Sequence, residues 1–208
     1  MRIVIPTHGR TDNQITWGSL PKSVRARTVL VVQSSEWESF WKDHLDVYPN
    51  VKPLPSFIKT IGPTRQYILE NFGPKVLMID DDFEFATRRE ESPERFSPST
   101  PEQIEEMVKA IEDELDRVAV VGLSQRGGAN RRSGERDVNT RITGVTGLRT
   151  DVVNRNGVRY DRIPVMEDFD LNLQMLRLGF NNVCLNRWVY NQKGSGTAGG
   201  CSSHRTME

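Results

Sequence analysis

Four consecutive apolar residues, Val76-Leu77-Met78-Ile79, run directly into three consecutive aspartates, Asp80-Asp81-Asp82. A short apolar run after Gly73-Pro74 reads as a strand buried on both faces. Three carboxylates at the end of such a strand repel one another, and holding them there is expensive without a cation. Open α/β sheets bind ligands at the carboxyl ends of their strands. The aspartates therefore demand a sheet with covered faces and a cation-dependent site at its edge. Hard oxygen donors suit Mg²⁺ or Mn²⁺, which leave positions for substrate phosphates. The alternative, a solvated acidic turn, sits poorly beside four apolar residues.

The rest of the chain supplies the layers. Ile3-Val4-Ile5, closed by Pro6, reads as a first buried strand, and Thr28 to Val32 as a second. Ser34 and Ser35 are N-cap candidates for a short helix through Trp37, Phe40 and Trp41. Pro53 and Pro55 mark an extended connection. Gly62-Pro63 opens a helix whose apolar face is Ile68, Leu69 and Phe72, and Gly73-Pro74 ends it. Pro93 to Pro101 reads as a polar loop. Thr100, Pro101 and Gln103 form a capping-box signature, followed by Ile104, Met107, Val108, Ile111 and Leu115 on one helical face. Val118 to Val121 is a further strand. Gln125 to Arg141 is rich in Arg and Gly and reads as a long exposed loop or hairpin. Ile142 to Val153 returns to ordered structure. Glu167 to Leu178 is a helix with acids in its first turn and Gly179 at its end. Val183-Cys184-Leu185 and Trp188-Val189-Tyr190 read as closing strands. Strands alternating with helices predict an α/β fold with a mainly parallel central sheet flanked by helices. The whole of 1–208 reads as one domain, with a flexible Gly/Ser-rich tail over 194–208.

Charge and cysteine usage narrow the function classes. Lys plus Arg number 28 and Asp plus Glu 28, so the formal net charge is zero and a simple polycation is excluded. A local basic patch remains compatible with a nucleic-acid partner. Cys184 and Cys201 match neither a metal-ligand spacing nor a disulfide framework. Mean hydropathy is −0.55. No window approaches the ~18–20 apolar residues of a membrane span. These features predict a cytoplasmic protein with no membrane partner.

Five further groups carry possible chemistry. Glu167 and Asp168 open a helix, either compensating its dipole or serving as a general base or acceptor-orienting carboxylate. His204 follows the glycine-rich run 194–200, where a closing segment would deliver a metal ligand. Pro6-Thr7-His8-Gly9-Arg10 follows the first strand, where small and polar residues let backbone approach a nucleotide. Arg65, early in its helix, is placed to reach a pyrophosphate. The arginines Arg126, Arg131, Arg132, Arg136 and Arg141 form either a solvated loop or a surface for phosphates of a polymeric acceptor, which Arg88 and Arg89 would extend.

Taken in order, these motifs resemble the GT-A glycosyltransferases. Such enzymes pair a Pro-Thr-like nucleotide loop (Pro6-Thr7) with an arginine before the metal strand (Arg65) and a D-x-D motif (Asp80 to Asp82). Downstream they carry an acidic pair opening a helix (Glu167-Asp168), and many have a C-terminal histidine ligand, here His204. Ile3 to Arg10, Gly62-Pro63-Thr64-Arg65-Gln66 and Met78 to Phe83 are similar to the bacteriophage TET/JBP-associated glycosyltransferases. That resemblance implies a UDP-sugar donor, a Mn²⁺ or Mg²⁺ cofactor and a 5-hydroxymethylcytosine acceptor in phage DNA, with the infected host's cytoplasm as the setting. It implies metal ligation by Asp82, Asp80 and His204. Pro6, Thr7, Arg10, Arg65, Asp80 and Asp81 would contact the donor, and Asp168 with Glu167 would supply catalysis. Arg126, Arg131, Arg132 and Arg141 would bind the acceptor. A protein or glycan acceptor, or a non-catalytic nucleotide- or nucleic-acid-binding module with this fold, are the competing expectations. A haloacid-dehalogenase-type phosphohydrolase also uses D-x-D after a strand, but it wants Thr or Val where Glu84 stands.

Overall fold

A computed structural model describes residues 1–192 apart from Asn130 and Ser133. Ten strands form one sheet: β1 (Arg2–Thr7), β2 (Thr28–Val32), β3 (Val51–Pro53), β4 (Lys75–Ile79), β5 (Phe83–Arg88), β6 (Phe96–Pro98), β7 (Val120–Gln125), β8 (Arg136–Val138), β9 (Val145–Arg149) and β10 (Asn182–Gln192). Their order is β3-β2-β1-β4-β9-β7-β10-β5-β6, with β8 paired to β10 off that path. Following the pairings across the sheet, only β5, β8 and β9 oppose the common strand direction. The parallel run β3-β2-β1-β4 brings four carboxyl ends, and the loops after them, to one edge. The aspartates stand on that edge.

The helices are α1 (Ile15–Ser19), α2 (Lys22–Arg25), α3 (Ser34–Ser39), α4 (Ile61–Asn71), α5 (Pro101–Glu114), α6 (Arg126–Ala129), α7 (Thr150–Arg155) and α8 (Glu167–Arg177). Strand alternation decides which face each covers. Ile3, Ile5, Leu77 and Ile79 face one layer and pack with Ile104, Met107, Val108 and Ile111 of α5. Val4, Val31, Val76 and Met78 face the other and pack with Ile68 and Leu69 of α4, Val153 of α7, and Leu171 and Met175 of α8. Each fully buried side chain of this kind contributes about 1.5–3 kcal/mol. Met107, fully buried in α5, is a single position whose truncation to alanine costs about 2–5 kcal/mol.

Helix α5 starts where its sequence dictates: the Thr100 side chain accepts from the Gln103 amide, and Gln103 answers on the Thr100 amide. Helix α8 starts from Met166 in the left-handed region, φ 62, an unusual conformation for a non-glycine residue. Gly62, in the first turn of α4, fits because an added Cβ would lie 3.1 Å from the Tyr160 carbonyl. This close approach docks the loop before α8 against the start of α4.

Four local expectations are corrected. Gln33, not Ser34 or Ser35, is the N-cap of α3, and no side chain caps it. The stretch Gln125 to Arg141 is not one loop, because it contains α6 and β8, the latter held on the β10 edge. The Pro93 to Pro101 segment contains β6, paired to β5. The two closing strands are one strand, β10, whose pairing with β7 shifts between Leu185 and Val189.

Candidate active site

The turn after β4 is fixed by backbone contacts before any side chain acts. The Asp80 amide donates to the Gly144 carbonyl at 3.1 Å. Thr16 at the start of α1 clamps the other side. Its hydroxyl donates to the Asp80 carbonyl at 2.5 Å and accepts from the Phe83 amide at 2.8 Å, and its amide donates to the Asp81 carbonyl at 3.0 Å. With the turn held, three carboxylates project into a small volume and each meets a different partner.

Asp80 Oδ1 accepts from Arg65 Nη2 at 2.7 Å. Asp81 Oδ2 accepts from the Thr7 hydroxyl at 2.6 Å, and Asp81 Oδ1 takes an ion pair from Arg10. Asp82 Oδ2 lies 3.1 Å from the same Arg10 Nη1 and accepts from Gln192 Nε2 at 3.0 Å. Gln14 braces the loop after β1 by donating to Thr7 Oγ1 at 2.8 Å and to the Arg10 carbonyl at 2.7 Å.

The electrostatics follow from crowding and burial. Burial pushes Asp80 up to about 7; the attraction of Arg65 does not offset it against the like charges of Asp81, Asp82 and Asp168. Asp81 is also raised by burial, despite Thr7 and Arg10. Burial alone would lower the two arginines, but their carboxylate neighbours outweigh it and raise both. Arg65 is held from a third direction by Glu167, whose Oε1 lies 3.4 Å from Nε without hydrogen-bond alignment, and it sits 5.8 Å from the Tyr160 ring centre. Asp168, next along α8, is close enough for its charge to act on Asp80, Arg65 and Tyr190.

A second wall was invisible in the sequence. Tyr190 on β10 stacks on Phe83, 4.3 Å between ring centres, and its hydroxyl shares a 2.8 Å hydrogen bond with Thr143. Burial raises Tyr190 to about 12, against the Thr143 hydrogen bond and with Asp80 and Asp168 adding to the rise. Gly144 lies beneath this pair at φ 67, and an added Cβ would meet the Phe83 ring at 2.6 Å. Only the glycine at 144 was available as a signal, and it does not identify a site without the fold.

Thr7, Arg10, Arg65, Asp80, Asp81, Asp82, Glu167 and Asp168 are thus gathered at one edge, with Pro6 paired to Val31 inside β1. Arg141 reaches the same neighbourhood, its guanidinium 4.5 Å from the Phe169 ring centre beside Asp168. Arg126 and Arg131 stand exposed beyond β7, and Arg132 pairs with Asp137. Arg136 bonds Glu114, and Arg88 bonds backbone carbonyls, so neither points at the aspartates. His204 and the tail 194–208 lie outside the described residues. A surface depression lined by Gln66, Glu70, Asn154, Gly157, Val158 and Arg159 contains none of the clustered carboxylates.

Among the described residues, no three His, Cys, Asp or Glu side chains are arranged to hold a metal ion. The aspartates instead carry guanidinium partners. Asp82 Oδ1 is buried and has no hydrogen-bond partner among those residues. A hard carboxylate oxygen of this kind is the donor type that Mg²⁺ or Mn²⁺ prefers.

The architecture is that of the GT-A enzymes. The crystal structure of S. aureus TarS 1-349 superposes with a TM-score of 0.60 at 14% identity, covering 93% of this chain and 60% of that one. GalNAc-T7, solved with UDP, GalNAc and Mn²⁺, superposes at 0.58 and 10% identity, covering 92% and 42% respectively. The 4-diphosphocytidyl-2C-methyl-D-erythritol synthase of Anaerococcus prevotii reaches 0.50 at 12% identity, covering 86% and 82%. The chain therefore spans less than two thirds of TarS 1-349 and of GalNAc-T7. No curated protein matches its sequence. The sequence profile of the TET-associated glycosyltransferases matches residues 1–200, and the chain belongs to that family.

Proposed function

We propose that this protein is a metal-dependent glycosyltransferase that moves a sugar from a UDP-sugar to 5-hydroxymethylcytosine in phage DNA. The observation that carries the reading is the turn after β4: three carboxylates in contact with Arg10 and Arg65, with Asp82 Oδ1 buried and unpartnered among the described residues. Family membership supports sugar transfer. The UDP and Mn²⁺ bound by GalNAc-T7, on the same fold, support the donor and cofactor classes.

In this reading Asp82 and Asp80 hold the ion, with His204 as a further ligand. The ion, when bound, offsets the charge that develops on the departing diphosphate. Thr7 and Asp81 orient the nucleotide, and Arg65 keeps Asp80 in place. Asp168 takes the proton of the acceptor hydroxyl if configuration inverts, and orients that hydroxyl if it is retained. Glu167, buried against Arg65, holds the arginine rather than the substrate. Arg141, over the Phe169 ring, anchors an acceptor phosphate, while Arg126, Arg131 and Arg132 extend the binding surface along the DNA. The setting is the cytoplasm of an infected bacterium. No helix among the described residues is long and apolar enough to cross a membrane.

The test is a mass-spectrometric assay with Mn²⁺, a panel of UDP-sugars, and DNA with and without 5-hydroxymethylcytosine. A hexose-type or N-acetylhexosamine-type mass gain confined to the modified DNA is expected. Metal-dependent UDP-sugar hydrolysis with no gain on any DNA would move the acceptor to protein or glycan.

A further inference from the structure

Arg10 is the guanidinium that touches two of the three aspartates. Its Nη1 ion-pairs with Asp81 Oδ1 and lies 3.1 Å from Asp82 Oδ2. The two arginines of the cluster come from different kinds of element. Arg65 belongs to α4, has a side chain only 6% exposed, and is fixed by Asp80, Glu167 and the Tyr160 ring. Arg10 belongs to the irregular segment between β1 and α1. His8, Gly9, Asp12 and Asn13 around it are exposed, and Gly9 immediately before it has φ 70. Two hydrogen bonds to its own carbonyl, from the Asn13 amide and Gln14 Nε2, hold the backbone, and the side chain, 13% exposed, is engaged with Asp81 and Asp82.

Asp82 Oδ2 is shared by Arg10 and Gln192, while Asp82 Oδ1 has no partner among the described residues. A divalent ion on Asp82 would stand within a few ångströms of the Arg10 charge, and two cations that close repel strongly in a partly buried site. Arg10 must therefore give ground when an ion arrives. A diphosphate offers a guanidinium a better bidentate acceptor than two separate carboxylates.

Resting on the donor and cofactor reading above, we propose that Arg10 is a positioning residue that competes with the divalent ion for Asp82 and is handed to the donor's diphosphate when the nucleotide enters. Ion and nucleotide then load together. Each relieves the same arginine–aspartate pairing, and by linkage each tightens the other by an equal factor. The donor-free site keeps its acids neutralised without metal.

The test measures each ligand alone, with no turnover. Mn²⁺ binding is followed by the paramagnetic resonance signal of the free ion, and UDP binding is measured by calorimetry in EDTA. In Arg10→Met, Mn²⁺ binds about tenfold tighter than in the wild type, and UDP binds about tenfold weaker, within the usual range of coupling between sites. Opposite signs are the signature of competition, since a residue that only braced the turn would weaken both. Mn²⁺ affinity that is unchanged or weaker in Arg10→Met overturns the proposal. Should that variant lose the native circular dichroism, Arg10→Gln, which keeps an uncharged hydrogen-bond donor, replaces it with the same expected signs. Equal Mn²⁺ binding by wild type and variant sinks the competition alone. Absence of Mn²⁺ binding in every variant, with or without UDP, sinks the metal reading together with it.

Discussion

Arg65 Nη2 and Asp80 Oδ1 lie 2.7 Å apart and join the first turns of α4 to the end of β4. The pair is the hinge of the site's electrostatics, because Arg65 also faces Glu167 at the start of α8. Removing the arginine would leave two carboxylates in a protein interior with no counter-charge. Breaking a buried pair in this way costs about 3–5 kcal/mol, and the partial exposure of Asp80 places Arg65→Met at about 3 kcal/mol. Urea denaturation at neutral pH measures the loss. Arg65→Lys, which keeps charge but not the fork, is expected to recover part of it.

Asp168 and Glu167 are neighbours in sequence with separable roles. If configuration inverts, Asp168→Asn is expected to lower sugar transfer by about 100-fold or more, the scale of a lost general base, with little change in stability. Glu167→Gln is expected to act mainly on stability, because Glu167 is buried against Arg65. Parallel kcat and denaturation measurements on the two variants separate the assignments.

The Tyr190 wall gives a structural prediction. Tyr190→Phe loses the Thr143 hydrogen bond and costs about 1 kcal/mol. Gly144→Ala forces a Cβ into the Phe83 ring from a positive φ, and overpacking of this kind costs about 1–3 kcal/mol. The same wall sets a pH window. Burial raises Tyr190 to about 12 from its ordinary value near 10, so the folded state holds that proton more tightly. Its contribution to stability is full below pH 10 and is lost as pH rises through 12. The alkaline limb of wild-type unfolding should therefore be steeper than that of Tyr190→Phe.

Much of the edge was legible because its signals are local. The apolar run into Asp80, the capping box at Thr100 and the acids opening α8 each depend on a few adjacent residues. The fold's departures are long-range. Nothing in Val145 to Arg149 states that it inserts antiparallel between β4 and β7, since direction is not written in a strand's composition. The β5 strand was not read from the sequence, yet Phe83 and Phe85 bury one face of a strand and Ala86 the other. Thr143 and Tyr190 are 47 positions apart, and Gln192 reaches Asp82 across 110. Such pairs exist only once the sheet has closed.

The acceptor arginines rank by position. Arg141 stands over the Phe169 ring at the start of α8, whereas Arg131 lies beyond β7 and Arg132 is engaged with Asp137. Arg141→Ala should weaken both DNA binding and transfer, and the Arg131→Ala, Arg132→Ala double variant mainly binding. Removing one arginine from a DNA phosphate should flatten the slope of log K against log salt by about one. Titrations at several salt concentrations check this, and an unchanged slope in every variant would place the DNA on another face.

Asp82 bears most directly on the central claim, that the turn after β4 is the reaction centre of a sugar transferase. The measurement is metal-dependent UDP-sugar turnover by Asp82→Asn against wild type, with circular dichroism confirming the fold of both. A loss of about 100-fold or more, the scale of removing one group that stabilises developing charge, is the result expected. Full turnover by a correctly folded Asp82→Asn protein would contradict it and place the chemistry elsewhere.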